Sequence, residues 1–266
     1  MDFKLKLINM YLTIAVSTVE KNLDRSLEIF DEDFIKNRDL DLLIICQGDF
    51  LENSFEVVDG INVYYQSERG LSKSRNLAIE KSKGKYIWFL DDDVFISKEF
   101  VFKFISEKKY EQDLIFGRIK CSNAELMYKK YSRKRLKRHD MLKVSSIEII
   151  ANKDFIIKRN VKFDVNLGLG ATFPSGEENV FLLDCYNHSP VITDLIDVIV
   201  YHPCFENKRT PKKLWALKGY PESKKIIATK LGGPFGVAYL LKTTFKALKN
   251  DVSFKCLKRM LMHRVR

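Results

Sequence analysis

Residues 84–96 read GKYIWFLDDDVFI, and this stretch constrains the fold more than any other. Tyr86, Ile87, Trp88, Phe89 and Leu90 follow one another with no polar face between them. Such a run predicts a strand buried on both sides, as in a mainly parallel sheet covered by helices. It stops abruptly at Asp91, Asp92 and Asp93. In open α/β sheets, ligands bind just beyond the carboxyl ends of the strands. Adjacent carboxylates repel one another unless a cation or solvent neutralises them. Hard divalent cations such as Mg²⁺ or Mn²⁺ prefer oxygen ligands and bind phosphates through one or two carboxylates. The triplet therefore points to a metal-assisted nucleotide-phosphate site. An acidic turn at a strand end is the plain alternative, and the surrounding chain has to decide between them.

The flanking pattern is that of a doubly wound α/β domain. Residues 11–18 (YLTIAVST) predict a first buried strand, and residues 20–34 a helix, with Leu23, Leu27, Phe30 and Phe34 at helical spacing. Residues 41–46 and 61–65 predict two more strands. Residues 71–81 predict a helix, with Gly70 making the turn before it and Ser72 as its cap. A helix over 98–109 and a strand over 114–119 follow the acidic triplet. Beyond them, residues 154–158 read as a strand, 165–175 as a Gly- and Pro-containing loop, and 177–186 as a helix. Acids in that helix's first turn, Glu177 and Glu178, also suit the helix macrodipole. Short strands are expected at 191–193 and 198–201, before His202.

Charge is unevenly spread. The 266 residues carry a net +11, yet residues 207–266 alone hold 16 Lys/Arg against 2 Asp/Glu. A second basic cluster spans 129–139. Thr210-Pro211 is a helix start of cap followed by proline at the first helical position. Leu241, Phe245 and Leu248 then recur at helical spacing with Lys242, Lys246 and Lys249 between them, and Phe254, Leu257, Leu261 and Val265 form a further stripe. Basic amphipathic helices with aromatics suit an anionic membrane surface; packing on the domain with lysines in water is the alternative. The chain thus divides into 1–206 and a basic helical extension at 207–266. Five scattered cysteines with no C-x-x-C pair predict reduced thiols in a cytosolic setting. Residues 1–16 lack a signal-peptide layout. No run is long and apolar enough to span a bilayer.

Several segments, taken together, resemble the family 2 glycosyltransferases of bacterial polysaccharide assembly, enzymes of GT-A fold. They are the strand end Ser17-Thr18, GLSKSRNLAI at 70–79, GKYIWFLDDDV at 84–94, FDVNLGLG at 163–170 and GEEN at 176–179. The resemblance covers roughly residues 10–205, and the order of the motifs is more specific than any one of them. It implies a GT-A-type sheet with a nucleotide-sugar half over about 1–120 and an acceptor half over about 121–206. It also implies metal-dependent, inverting transfer from a nucleotide sugar, expected to be a UDP-sugar, to a glycan acceptor on a polyprenyl diphosphate, at the inner face of the cell membrane.

By that resemblance Asp93 and Asp91 map onto the Asp-x-Asp pattern as ligands of Mn²⁺ or Mg²⁺ and neighbours of the ribose, with Asp92 as the middle residue; three acids in a row leave the register open by one position. His202 is a further metal or diphosphate ligand. The proton-accepting base falls on Glu178, where the family has Asp, and Glu177 remains its rival. Ser17, Thr18 and Arg75 map to the nucleotide side, where a guanidinium suits phosphate. Paired aspartates are usual after the second strand, one of them on the uracil ring; here the chain reads Cys46-Gln47-Gly48-Asp49. The Gln47 amide can accept from a ring N–H and donate to a ring carbonyl. Lys208 and Arg209 are expected near a diphosphate or lipid-linked phosphate. A nucleotidyltransferase would carry a Gly-rich loop after the first strand, and residues 17–21 have no Gly. A non-catalytic nucleic-acid binder fits the charge but lacks base-stacking motifs.

Overall fold

The computed structural model describes residues 10–131, 134–204 and 210–265. Lys208, Arg209 and the first nine residues of the N-terminal segment lie outside them. The strands are β1 (Leu12–Val19), β2 (Leu40–Gln47), β3 (Ser54–Val58), β4 (Ile61–Gln66), β5 (Tyr86–Asp91), β6 (Phe95–Ile96), β7 (Leu114–Cys121), β8 (Ile149–Asn152) and β9 (Ile192–His202). The α-helices are α1 (Leu23–Leu27), α2 (Glu32–Ile35), α3 (Leu71–Lys81), α4 (Lys98–Glu107), α5 (Lys153–Lys158), α6 (Glu177–Tyr186), α7 (Pro211–Ala216), α8 (Tyr220–Leu231), α9 (Gly233–Lys249) and α10 (Phe254–Met262). One sheet holds all nine strands in the order β3-β4-β2-β1-β5-β8-β7-β9-β6. β4, β2, β1, β5, β7 and β9 run one way, and β3, β8 and β6 run against their neighbours.

β5 explains the apolar run. Tyr86, Trp88 and Leu90 enter a core with α1, α2 and α4, while Ile87 and Phe89 enter a second core with α3, α5 and α6. With helices on both faces, no polar side is needed. Each such fully buried side chain contributes about 1.5–3 kcal/mol.

Several expectations are corrected. Residues 154–158 are helical, within α5, because Asn152 Oδ1 accepts from Phe155 N and caps a turn that the apolar pattern alone does not distinguish from a strand. Residues 20–34 form a 3-10 turn and two short helices instead of one helix, since Asp31 starts α2 afresh by accepting from Asp33 N and Phe34 N. The two short strands after α6 are one strand, β9. Ser72 does not cap α3; its hydroxyl donates to Leu167 O at 2.7 Å, and Gly70 stands at the cap position with φ +136°. Cys121 and Cys204 form a disulfide, with Cα atoms 5.3 Å apart across 83 residues. Strand pairing sets them side by side, since Cys121 lies opposite His202 in the β7–β9 register. Cys46, Cys185 and Cys256 are free.

The basic extension is folded against the rest. Thr210 accepts from Lys213 N and Pro211 follows it, as the sequence predicts. Ile226 and Ile227 of α8 pack on Val180 of α6 and on Leu167, and Trp215, Ala247, Val252, Leu257 and Met260 form a small core of their own. Leu241, Phe245 and Leu248 point outward, Phe245 at 71% exposure. The α10 stripe divides: Leu257 is buried while Phe254 and Leu261 are exposed. Among the described residues no helix is long and apolar enough to cross a membrane.

Candidate active site

Parallel pairing brings three strand ends together. Ser17 lies opposite Asp91 in the β1–β5 register, and Val19 opposite Gln47 in the β1–β2 register. Antiparallel pairing of β6 with β9 sets Phe95 opposite Tyr201, which brings Asp93 beside His202. Ser17, Thr18, Gln47, Asp91, Asp92, Asp93 and His202 thus line one cavity of about 410 Å³, together with Leu169 and Gly170.

The three aspartates diverge. Asp91 accepts from Arg75 Nη2 at 2.9 Å; burial, only partly opposed by that guanidinium, lifts its pKa above the ordinary range. Asp92 accepts from Thr18 Oγ1 at 2.7 Å and Asn22 Nδ2 at 3.0 Å, and pairs with Arg25. It is therefore the clasp that ties the β1–α1 turn to β5 and more than a middle residue. Asn22 and Arg25 were not predicted, although they follow Thr18 at four and seven residues, one face of a helical start. Asp93 lies 3.5 Å from His202 Nε2. The hydrogen bond with His202 lowers the Asp93 pKa, and the same bond raises that of His202.

A divalent cation fits this arrangement in a sparse form. Among the described residues no three carboxylate, imidazole or thiolate groups converge as a ready-made metal site. Asp93 and His202 nevertheless sit side by side on the cavity wall. Magnesium commonly takes one or two side-chain ligands and completes its shell with water and substrate phosphates. Asp91 faces the same cavity, with one oxygen on Arg75.

Helix α3 organises what the strands deliver. Its motif residues each reach a different segment: Ser72 holds Leu167 O, Ser74 Oγ donates to Ser17 Oγ at 2.9 Å, and Asn76 exchanges two bonds with the Phe163 backbone. Arg75, 1% exposed, donates to Asp91 with Nη2 and to Glu177 Oε1 with Nη1 at 3.1 Å. Gln47 does not face a ligand freely. Its Nε2 donates to Gln66 Oε1, Glu68 O and Gly70 O, and its Oε1 accepts from Gly70 N, so the amide holds the loop into α3.

The two glutamates separate. Glu177 is buried on Arg75. Glu178 faces a second cavity and carries a pKa raised to about 7, by burial first and by the Glu177 charge second. Lys224 of α8, absent from the predicted site, lies close enough to interact with both glutamates. Its Nζ donates to Ser175 Oγ at 3.2 Å, and burial lowers its pKa to about 8. No sequence signal marks it, since it comes from the extension.

Residues 47–166 match the family described as Glycosyl transferase family 2. No curated protein matches the chain. Among solved structures it is similar to S. aureus TarS 1–349 in complex with UDP-GlcNAc, at 16% identity over 95% of this chain and 72% of that one, TM-score 0.57. It is also similar to glucosyl-3-phosphoglycerate synthase from Mycobacterium tuberculosis in complex with Mg²⁺ and uridine-diphosphate, at 14% identity over 85% of this chain and 80% of that one, TM-score 0.53. At these identities the likeness is one of fold, a GT-A glycosyltransferase sheet with a helical C-terminal region.

Proposed function

We propose that this chain, a family 2 glycosyltransferase by its segment 47–166, transfers a sugar from a UDP-sugar to a hydroxyl of a glycan acceptor with inversion. The observation that carries the reading is the buried Arg75, which grips Asp91 at the end of β5 and Glu177 at the start of α6. One side chain thereby fixes the cavity of the aspartates relative to Glu178. The diphosphate of the donor belongs in the cavity of Ser17, Thr18 and Asp91 to Asp93. Asp93 and His202, with Asp91 near, would hold a divalent cation there, which would supply positive charge against the diphosphate. UDP complexes of proteins with this fold support a uridine donor. Gln47 acts by shaping the loop into α3, and its amide nitrogen can donate to uracil only by giving up one of its present bonds.

In the transfer, the acceptor oxygen forms a bond to the anomeric carbon as the bond from that carbon to the diphosphate oxygen breaks. Glu178 takes the hydroxyl proton. Glu177 is unsuited, because its carboxylate is committed to Arg75. The acceptor is a lipid-linked glycan in surface-polysaccharide assembly. The outward apolar stripe of α9, on an extension rich in Lys and Arg, supports contact with an anionic inner-leaflet surface.

The experiment is Asp93→Ala, assayed for Mn²⁺-dependent turnover across a panel of nucleotide sugars. Turnover is expected to disappear while the circular dichroism spectrum is unchanged. Full activity in the variant would overturn the donor site.

A further inference from the structure

The two cavities carry opposite charge. The first sets Asp91, Asp92 and Asp93 against Arg69 and His202 on its wall, and on the donor reading a divalent cation would offset the remaining negative charge. The second, also about 410 Å³, carries Arg118, Lys129, Lys130, Arg135 and Lys143 on its wall, with Glu178 as its one carboxylate among the described residues. Four of these cations, all but the exposed Lys130, are built in. Buried Glu148 accepts from Lys129, from Arg135, from Tyr131 OH at 2.8 Å and from Ser145 N at 2.7 Å. Buried Asp194 accepts from Arg135 N and Nη2, both at 2.6 Å, from Arg135 Nε at 3.0 Å and from Arg118 Nη2 at 3.4 Å. Lys143 Nζ donates to Asp140 at 2.6 Å.

Five cations on the wall are thus set against three carboxylates behind it, Glu148, Asp194 and Asp140. Glu178 adds a fourth negative charge only when it has lost its proton, so positive charge remains in excess in either state. Arg118 is 6% exposed, stacks on Tyr131 at 4.4 Å, and its Nη1 has no hydrogen-bond partner among the described residues. A buried guanidinium N–H left unpaired is costly and is the kind of group that a ligand oxygen satisfies. Part of the basic run at 129–139, which the donor site leaves unused, is absorbed by this wall.

We propose that this cavity is the acceptor subsite and that the acceptor carries a phosphate ester, its phosphate set among Arg118, Lys130 and Lys143 and its hydroxyl toward Glu178; Lys129, whose Nζ already donates to Lys143 O, Ser145 Oγ and Glu148, contributes charge alone. The assignment rests on Glu178 as the base. Planar guanidinium and point-charge ammonium together suit a phosphate dianion better than a single carboxylate.

The test fills the donor cavity with UDP and Mg²⁺ and titrates a hexose phosphate by calorimetry. The ester is expected to bind without displacing UDP. Lys130→Gln, an exposed position that leaves the buried network intact, is expected to weaken the ester about tenfold and leave UDP affinity unchanged. Arg118→Gln is expected to weaken it at least as much. No ester binding to the UDP-loaded protein, displacement of UDP, unchanged affinity in Lys130→Gln, or a hexuronate binding as tightly as the phosphate would each overturn the subsite. Competition by phosphatidate vesicles that is lost in Lys130→Gln would assign the phosphate to a lipid headgroup; an ester that persists beside such vesicles would assign it to a soluble or chain-borne phosphate. Either supports the subsite. Failure of the wild type to bind UDP would count against the donor reading, and titration of the ester without UDP still decides the cavity.

Discussion

Glu177 and Glu178 are neighbours with the same side chain, and their surroundings give them different chemistry. Glu177 turns to Arg75, whereas Glu178 faces a cavity with a pKa raised to about 7. A base must be deprotonated, so turnover is expected to rise with pH through about 7 and then level. Glu178→Gln is expected to cut turnover by about 10²–10⁴ with UDP affinity retained; a loss under tenfold would remove Glu178 as the base. Stability has the opposite sign. The folded state holds this proton more tightly than the unfolded chain, whose ordinary value is 4.5, so the group's contribution is lost as pH rises from there through about 7. Urea midpoints of wild type and Glu178→Gln at pH 5 and pH 8 check this: the variant should lose less stability between the two. The pair GEEN was legible as a motif, but which acid is free was not, because that depends on an arginine 102 residues away.

At the scale of elements, α3 joins β1, β5, α6 and the 163–170 loop through buried polar side chains. Arg75→Met would leave Asp91 and Glu177 without their shared cation, and losing one partner of a buried ion pair costs about 3–5 kcal/mol. A loss of unfolding free energy of that size, read as a lower urea midpoint at unchanged slope, is the expected result; a loss of a few tenths of a kcal/mol would mean that Arg75 is not structural. The start of α3 was readable from the Gly70 turn, though not its cap, and β5 from its unbroken run. β3, β6 and β8 were not predicted. β3 is exposed along most of its length, β6 has two residues, and β8 has four, so none gives a periodic signal long enough to read.

For the whole molecule, the basic extension has two faces. Its inner face packs Ile226 and Ile227 on Leu167 and Val180 and brings Lys224 to the glutamates. Its outer face shows Leu241, Phe245 and Leu248, whereas Lys242 and Lys246 line a cavity with Trp215, Tyr220 and Lys224. Deleting the extension would therefore disturb the acceptor side as well. Replacing Leu241, Phe245 and Leu248 by Ser isolates the outer face. This variant is expected to lose binding to anionic vesicles in a flotation assay and to keep its UDP affinity; unchanged flotation would remove the membrane role.

The sequence by itself determined the sheet's central strand, the acidic end of that strand, the order of the motifs and the basic tail, because these are local patterns of polarity. Only the tertiary structure decided that Asp91, Asp92 and Asp93 answer to three different partners, that Gln47 is spent on its own loop, and that Cys121 meets Cys204. Those outcomes depend on strand register and on side chains tens of residues apart, and a linear pattern carries neither.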